Sequence, residues 1–429
     1  MFIIYNIFFI LGFLILSPFF LYRLITSDRW REGLFRRFGI YPKEIRERLR
    51  KGRNIWINAA SVGEVKAVTS LVRKIKEANP HHQIVFSTVT RTGNLIARNA
   101  MSPETVVIYF PLDFFFSVRR VISLIKPELF VLVESEIWPN VISQLDRRRI
   151  PMALINVRMS NGSFKEYFRA RFFVKKIFSK FHRITAPSEK EASKIKALGV
   201  DESVIRVVGN LKFEKDGFHE PTPEEVIILR RSLGISEKGE VIIAGSTHAG
   251  EEAIITLIFQ RMVKTFQDLS LILAPRHPER ALEVARMVEA HGLSYQFRTD
   301  LDCDRKSQVL IVDTVGELER LYSIADIVFM GKSLTKKGGQ NLLEPARFGK
   351  CIVFGPHMEN FADIAALFME SRGAVQIQGA RELEAILFEL LRNRELRAEY
   401  GSRAREILKT HQGALQKNLD LLQAMIQVR

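Results

Sequence analysis

From residue 54 onward, short apolar runs alternate with longer segments of helical spacing. No other feature of the chain constrains its fold as much. Runs at 54–59, 83–88, 106–110, 129–134, 152–156, 182–186 and 204–208 read as strands. The stretches between them, such as Lys66 to Asn79 and Phe116 to Lys126, repeat apolar residues at a helical period. Strands alternating with helices argue for a parallel α/β sheet. The pattern pauses at Lys212 to Glu225, where Gly217, Pro221 and Pro223 sit among charges, as in a linker. It resumes with runs at 240–245, 269–274, 308–312, 327–331 and 351–354. A chain of 429 residues is long enough for two full cores. The simplest architecture is two Rossmann-like parallel-sheet domains facing across a cleft. The expected boundaries are an N-terminal domain over 26–215, a linker over 216–225, a second domain over 226–410 and a C-terminal helix over 411–429.

The first 25 residues read as a membrane anchor rather than as part of a soluble core. Phe2 to Tyr22 carries no charge and is rich in Phe, Ile and Leu, which matches the roughly 20 residues of one membrane span. Asn6 and Pro18 weaken that reading and leave open shallow insertion or a buried apolar hairpin. A cleaved signal peptide fits poorly, because no charged region precedes the run and no small-x-small site follows it. Arg23 to Arg53 holds 11 Lys/Arg against 4 Asp/Glu, a local charge of +7. Such a flank places the remainder of the chain on the cytoplasmic face, with the basic segment at anionic headgroups. The whole chain carries +16, which favours an anionic partner: phospholipid, nucleic acid or a phosphorylated substrate. Two cysteines, Cys303 and Cys351, exclude a disulfide framework and a cysteine-rich zinc site.

Several chemistries are excluded by absence. No G-x-G-x-x-G follows a strand, and there is no Walker A loop, H-E-x-x-H or G-x-S-x-G elbow. Asp302-Cys303-Asp304 matches a D-x-D metal pattern but lies in a polar stretch that reads as a solvated loop. His248 and His277 have no third ligand at informative spacing, so no metal or cofactor is expected.

The remaining candidates gather where strands end. Ser61-Val62-Gly63-Glu64 follows the run Ile55 to Ala60, and a near copy, Thr314-Val315-Gly316-Glu317, follows Val309 to Val312. Each reads as a strand leaving through a glycine turn into a helix N-terminus, an anion-friendly corner with a carboxylate. Ser/Thr-x-x-Glu is equally a capping box, in which the glutamate only closes the helix start. Glu134 and Glu136 flank the end of another strand, ahead of Pro139, which suits the first position of a helix. Trp138 reads as packing, and Lys212 closes the first domain at the linker. In the second half, Gly245-Ser246-Thr247-His248 and Pro275-Arg276-His277-Pro278 each follow a strand, and Arg276 can hold a phosphate bidentately. Gly338-Gly339, ahead of Asn341-Leu342-Leu343-Glu344, suits a phosphate cradle of backbone N–H groups, with Glu344 on ribose hydroxyls. Gly355-Pro356-His357 adds another such corner.

These stretches, in this order, resemble the 3-deoxy-D-manno-octulosonic acid (Kdo) transferases, membrane-anchored GT-B enzymes that use CMP-Kdo. The resemblance is carried by Ala60 to Glu64, Glu134 to Pro139, Asn156-Val157-Arg158-Met159-Ser160 and Gly209 to Phe213. It continues through Gly245 to His248 with Gly250-Glu251-Glu252, Pro275 to Arg280, Thr314 to Leu318, Gly338-Gly339 with Asn341 to Glu344, and Gly355 to His357. It implies Glu64 as general base, with Glu134 and Lys212 assisting the transition state. It implies that Pro275, Arg276, Val315, Gly316, Glu317 and Asn341 to Glu344 hold CMP. Ser61, Gly63, Ser246, Thr247, His248, Gly338 and Gly339 are further candidates for the cleft. The sequence departs from the family at Lys332, where Gly is common, and at Gln340, where many members have His.

The resemblance further implies an inverting, metal-independent transfer to a sugar hydroxyl of the lipid A precursor, lipid IVA, at the inner membrane. Arg276, Lys212 and helix N-termini would neutralise the departing phosphate. Two other readings are a UDP-sugar transferase or epimerase of similar fold, and a membrane-tethered nucleic-acid-binding protein. The basic residues are not interleaved with stacking aromatics in a recognisable module, which argues against nucleic acid.

Overall fold

A computed structural model describes residues 2–26, 33–134, 136–214, 218–302 and 307–427. Ser135, Cys303, Asp304, residues 27–32 of the basic flank and residues 215–217 of the linker lie outside them. The chain separates into two compact units, Met1–Asp216 with His411–Arg429, and Gly217–Thr410.

In the first unit, seven strands form one parallel sheet: β1 (Arg53–Asn58), β2 (His82–Thr88), β3 (Val106–Tyr109), β4 (Pro127–Val133), β5 (Met152–Ile155), β6 (Arg183–Ala186) and β7 (Ile205–Val207). Their order is β3-β2-β1-β4-β5-β6-β7, so the winding reverses between β1 and β4. The strands are apolar nearly throughout because both faces of the sheet are covered. Successive side chains point to opposite faces. Trp56, Phe130 and Leu132 therefore join one core, while Ile55, Ile57, Leu129 and Val131 join the other. The second core also takes Leu71 and Ile75 from the helix Val62–Ala78, and Leu419, Leu422 and Ile426 from the helix Ala414–Gln427. The tail of the chain thus completes the first unit. Gly209, at φ +94°, lets the chain pass close to this helix: a Cβ there would lie 3.2 Å from the Ala414 methyl.

The second unit repeats the plan with β8 (Glu240–Thr247), β9 (Leu269–Pro275), β10 (Tyr295–Phe297), β11 (Val309–Ile311), β12 (Ile327–Met330), β13 (Cys351–Phe354) and β14 (Val375–Gln376). The order is β10-β11-β9-β8-β12-β13-β14, reversing between β8 and β12. β10 and β14 are edge strands of three and two residues that the apolar runs do not reveal. The helix Pro223–Ser232 begins inside the stretch that reads as a linker. Thr222 and Glu225 close its first turn as a reciprocal capping box, and Pro223 needs no hydrogen bond at that position.

The expected membrane anchor falls in the N-terminal helix, Phe2–Thr26. Among the described residues, no helix is long and apolar enough to cross a membrane. One side of the N-terminal helix is docked on the first unit. The Tyr5 hydroxyl donates to Asp113 at 2.9 Å, Asn6 and Asn140 exchange amide hydrogen bonds, and Phe9 and Phe13 pack edge-on against Phe114. Asp113 also accepts the backbone N–H groups of Asn140 and Val141, and burial pushes its carboxyl up to about 7. The helix leaves Phe8 70% and Ile15 76% exposed.

Candidate active site

In a doubly wound sheet, ligands bind where the strand order reverses, beyond the carboxyl ends of the strands. In the first unit, Glu64 and Glu134 stand at that place, after β1 and β4. Ser61 caps the helix Val62–Ala78 through a long 3.4 Å bond from the Glu64 N–H. Gly63 lies inside this helix rather than in a turn; a Cβ there would meet nothing closer than Ser61 Oγ at 3.9 Å. The Glu64 carboxylate is buried and held at both oxygens. Oε2 accepts the Ala60 N–H at 2.7 Å, and Oε1 accepts the Ser61 hydroxyl at 2.9 Å. Its backbone bond thus goes to Ala60 and not to the capping residue, so the pattern is not the reciprocal capping box. Burial, then the charge of Glu134, pushes the Glu64 carboxyl up to about 7, although the two hydrogen bonds pull the other way.

Glu134 sits at φ +59°, a left-handed conformation that is costly for a residue with a side chain. Lys212 Nζ lies 2.8 Å from its Oε1. The lysine is set by a relay of hydrogen bonds: Asn210 accepts the Lys212 N–H, Asn156 accepts the Leu211 N–H, and Thr185 accepts the Asn156 N–H. The Thr185 hydroxyl donates in turn to Asn418 on the tail helix. Glu136 is raised by burial and by Glu134. Trp138 packs against Phe110, and Pro139 opens the helix Pro139–Arg147. The first unit therefore gathers an ammonium and three carboxylates, one of them poised near neutrality.

In the second unit, Ser246 adopts φ +55° where the β8–β9 register shifts, a bulge at the end of the strand. It is followed by Thr247 and His248, whose Oγ1 and Nε2 are buried without a hydrogen-bond partner. Burial lowers the His248 imidazolium below its usual range. Glu251, fully buried, accepts the backbone N–H groups of His248, Lys332, Ser333 and Leu334 at 2.8–3.0 Å. One carboxylate thus ties the end of β8 to the end of β12. The sequence shows Glu251 only as part of Gly250-Glu251-Glu252. Its role depends on partners more than 80 positions away. Pro275 ends β9, and Arg276 follows it with an exposed side chain.

Two expectations need correction. Thr314 does not cap a helix, because the helix Leu318–Leu321 begins later and its capping residue is Glu317. Glu317 is instead held by the Thr314 hydroxyl at 2.6 Å and by Arg298 at 2.9 Å, beside Gly316 at φ +94° and an 85% exposed Val315. The N–H groups of Gly338 and Gly339 do not form an open cradle. Gly338 donates to Glu359 at 2.6 Å and Gly339 to the Lys332 carbonyl at 2.8 Å. At the start of the short helix Leu343–Arg347, Asn341 accepts the Leu343 N–H and donates to Glu344 at 3.2 Å. A separate cavity of about 980 Å³, among Arg230, Glu240, Asp326, Lys350 and Arg397, opens where the strands begin, at the opposite edge of this sheet.

Among the described residues, no group of three or more His, Cys, Asp or Glu is placed to hold a metal ion. A family profile described as 3-deoxy-D-manno-octulosonic-acid transferase (kdotransferase) matches residues 32–215. The 3-deoxy-D-manno-octulosonic acid transferase of Haemophilus influenzae is 33% identical over 407 residues, covering 94% of this chain and 93% of that protein. The transferase of the same name from Rickettsia bellii is 30% identical over 428 residues, covering 97% and 98%. Among solved structures, MurG of Acinetobacter baumannii superposes with a TM-score of 0.58 over 87% of this chain and 99% of its own, at 14% identity, a likeness of fold alone. With two parallel seven-stranded units and relatives that match it nearly end to end, the chain belongs to the 3-deoxy-D-manno-octulosonic acid transferase family and is a glycosyltransferase of the two-domain α/β GT-B fold.

Proposed function

We propose that this enzyme moves Kdo from CMP-Kdo to a glucosamine hydroxyl of the lipid A precursor, lipid IVA, with inversion at the anomeric carbon. The observation that carries the reading is Glu64. Its carboxyl is buried, fixed at both oxygens and held at about 7 beside the Glu134–Lys212 pair. A general base works best when its pKa lies near the working pH. In the proposed reaction, the acceptor oxygen bonds to the anomeric carbon, its proton passes to the Glu64 carboxylate, and the bond from that carbon to the phosphate oxygen breaks. The electron pair leaves with CMP. Glu134 and Lys212 balance the charge that develops around the base. Arg276, whose guanidinium is exposed, supports CMP together with Pro275, Val315 to Glu317 and Asn341 to Glu344. No metal or cofactor is invoked, because fixed cations suffice to neutralise a departing phosphate.

The acceptor is both lipid and phosphorylated, and the first unit has surfaces of both kinds. The N-terminal helix presents Phe8, Leu11 and Ile15 outward, and the helix Arg171–Phe178 presents Phe172 and Phe173 beside Lys175 and Lys176. These features support an interfacial anchor on anionic lipid at the cytoplasmic face of the inner membrane, lying in the surface rather than spanning it. The test is mass spectrometry of lipid IVA incubated with CMP-Kdo and the full chain. It reads the reaction and the number of Kdo units together. A Glu64→Gln variant that folds yet keeps most of the transfer activity would remove Glu64 from the mechanism.

A further inference from the structure

Lys332 stands two residues beyond β12, at the reversal of the second sheet, the counterpart of the position that Glu64 and Glu134 hold in the first. Its φ of +58° is one that side-chain-bearing residues avoid and glycine adopts freely. The backbone there is firmly held. Glu251 takes the Lys332 N–H at 2.8 Å, and the Lys332 carbonyl takes the Gly339 N–H at 2.8 Å. A glycine would make both bonds without strain, so what lysine adds is its ammonium. Strained conformations persist at functional sites when the surrounding structure over-determines them.

The side chain reaches back over the glycine pair. A methyl group on Gly338 would lie 3.1 Å from Lys332 Cε, 3.2 Å from Nζ and 2.8 Å from Asn360 Nδ2. Glu359 engages the Gly338 N–H but makes no ion pair with this ammonium. Lys332 Nζ has no hydrogen-bond or ion-pair partner among the described residues, although the side chain is half-buried. Nearby, His248 keeps a buried Nε2 without a partner and feels the charge of Lys332. The loop thus holds an unpaired cation, an amide donor and an unsatisfied imidazole, with the glycine N–H groups already occupied.

We infer that Lys332 binds the phosphate of the nucleotide donor, taking the part that the occupied N–H groups of Gly338 and Gly339 cannot play. The inference rests on the CMP-Kdo reading above and adds a residue to which the family resemblance assigns no role. A charge-assisted hydrogen bond of this kind is worth about tenfold or more in affinity.

The test compares CMP with cytidine by titration calorimetry on the full chain, in the wild type, Lys332→Gly and Lys332→Met. Both variants should lose about tenfold or more in CMP affinity and bind cytidine as the wild type does, and the salt dependence of CMP binding should flatten. Lys332→Gly relieves the strained backbone and should melt no lower than the wild type, so a loss of CMP binding is not a loss of fold. Lys332→Gly binding CMP as tightly as the wild type overturns the inference, as does an equal loss for CMP and cytidine. Unchanged CMP binding with a raised KM for CMP-Kdo would move the lysine from the phosphate to the sugar carboxylate, and also overturns it. A wild type that binds CMP and transfers Kdo while Lys332→Gly is unaffected leaves the proposed function standing. A wild type that does neither removes both.

Discussion

Replacing Glu64 with glutamine should abolish transfer and, unusually for a buried residue, stabilise the protein at neutral and alkaline pH. The Glu64 carboxyl rises from 4.5 in the unfolded chain to about 7 in the folded one. Below pH 4.5 both states hold the proton, and the group adds no penalty. Between pH 4.5 and 7 the unfolded chain ionises while the folded protein keeps its proton, so stability falls as pH rises. Above 7 the loss is complete. At about 1.4 kcal/mol per tenfold, it amounts to about 3 kcal/mol. Glutamine cannot ionise, so the stability difference between variant and wild type should grow by about 3 kcal/mol from pH 4.5 to 7 and then level off. Hydrogen bonds lost from Ala60 and Ser61 offset the difference at every pH but do not produce that slope. Tryptophan fluorescence in urea is the natural assay, because Trp56 and Trp138 belong to the first unit and no tryptophan follows residue 138. It therefore follows the unit that contains Glu64 even where the two units unfold separately. Parallel stability curves for the two proteins across this range would refute the buried-base argument, whatever the activity of the variant.

Other outcomes follow from the same geometry. Glu134→Gln removes a negative charge that raises Glu64, so the acidic limb of kcat/KM should move below its wild-type midpoint near 7 by up to about one pH unit. A pH–rate profile of CMP release reads this directly. Ser61→Ala should lower stability by about 1 kcal/mol through the lost cap, and should move that limb upward because the serine hydroxyl favours the ionised carboxylate. Gly339→Ala should destabilise the second unit by about 1–3 kcal/mol, since φ is +68° and the new methyl would lie 2.4 Å from Met358 Sδ. Thermal melting, read by circular dichroism, would show whether it does.

Most strands were legible in the sequence because they are buried on both faces and so read as continuous apolar runs. The sequence lost β10 and β14, which are too short to make a run and lie at sheet edges where burial is partial. The N-terminal helix shows the limit of composition. Twenty apolar residues look the same whether they span a bilayer or lie against a domain, and the pairing of Tyr5 and Asn6 with Asp113 and Asn140, over 100 positions away, is invisible to composition. The two Ser/Thr-Val-Gly-Glu corners make the same point. Local pattern treats them alike. Arg298 draws Glu317 aside in one, whereas burial and Glu134 raise Glu64 in the other. Lys332 was visible as an unusual residue, but what makes it informative is non-local: the Glu251 clamp and the occupied glycine N–H groups.

The tail helix Ala414–Gln427 also sets a timetable for the protein's birth. The first unit closes one of its cores with Leu419, Leu422 and Ile426, and steadies Lys212 through Asn418. Those residues leave the ribosome about 200 positions after Asp216. At roughly 5–20 residues per second, the face formed by Leu71, Ile75 and Val131 stays uncovered for about 10–40 s while the whole second unit is made. A chain that stalls or is cut before residue 414 carries every catalytic candidate named above, yet keeps an open apolar face and loses the relay to Lys212. Such a fragment exposes apolar surface of the kind that makes incomplete chains prone to aggregate.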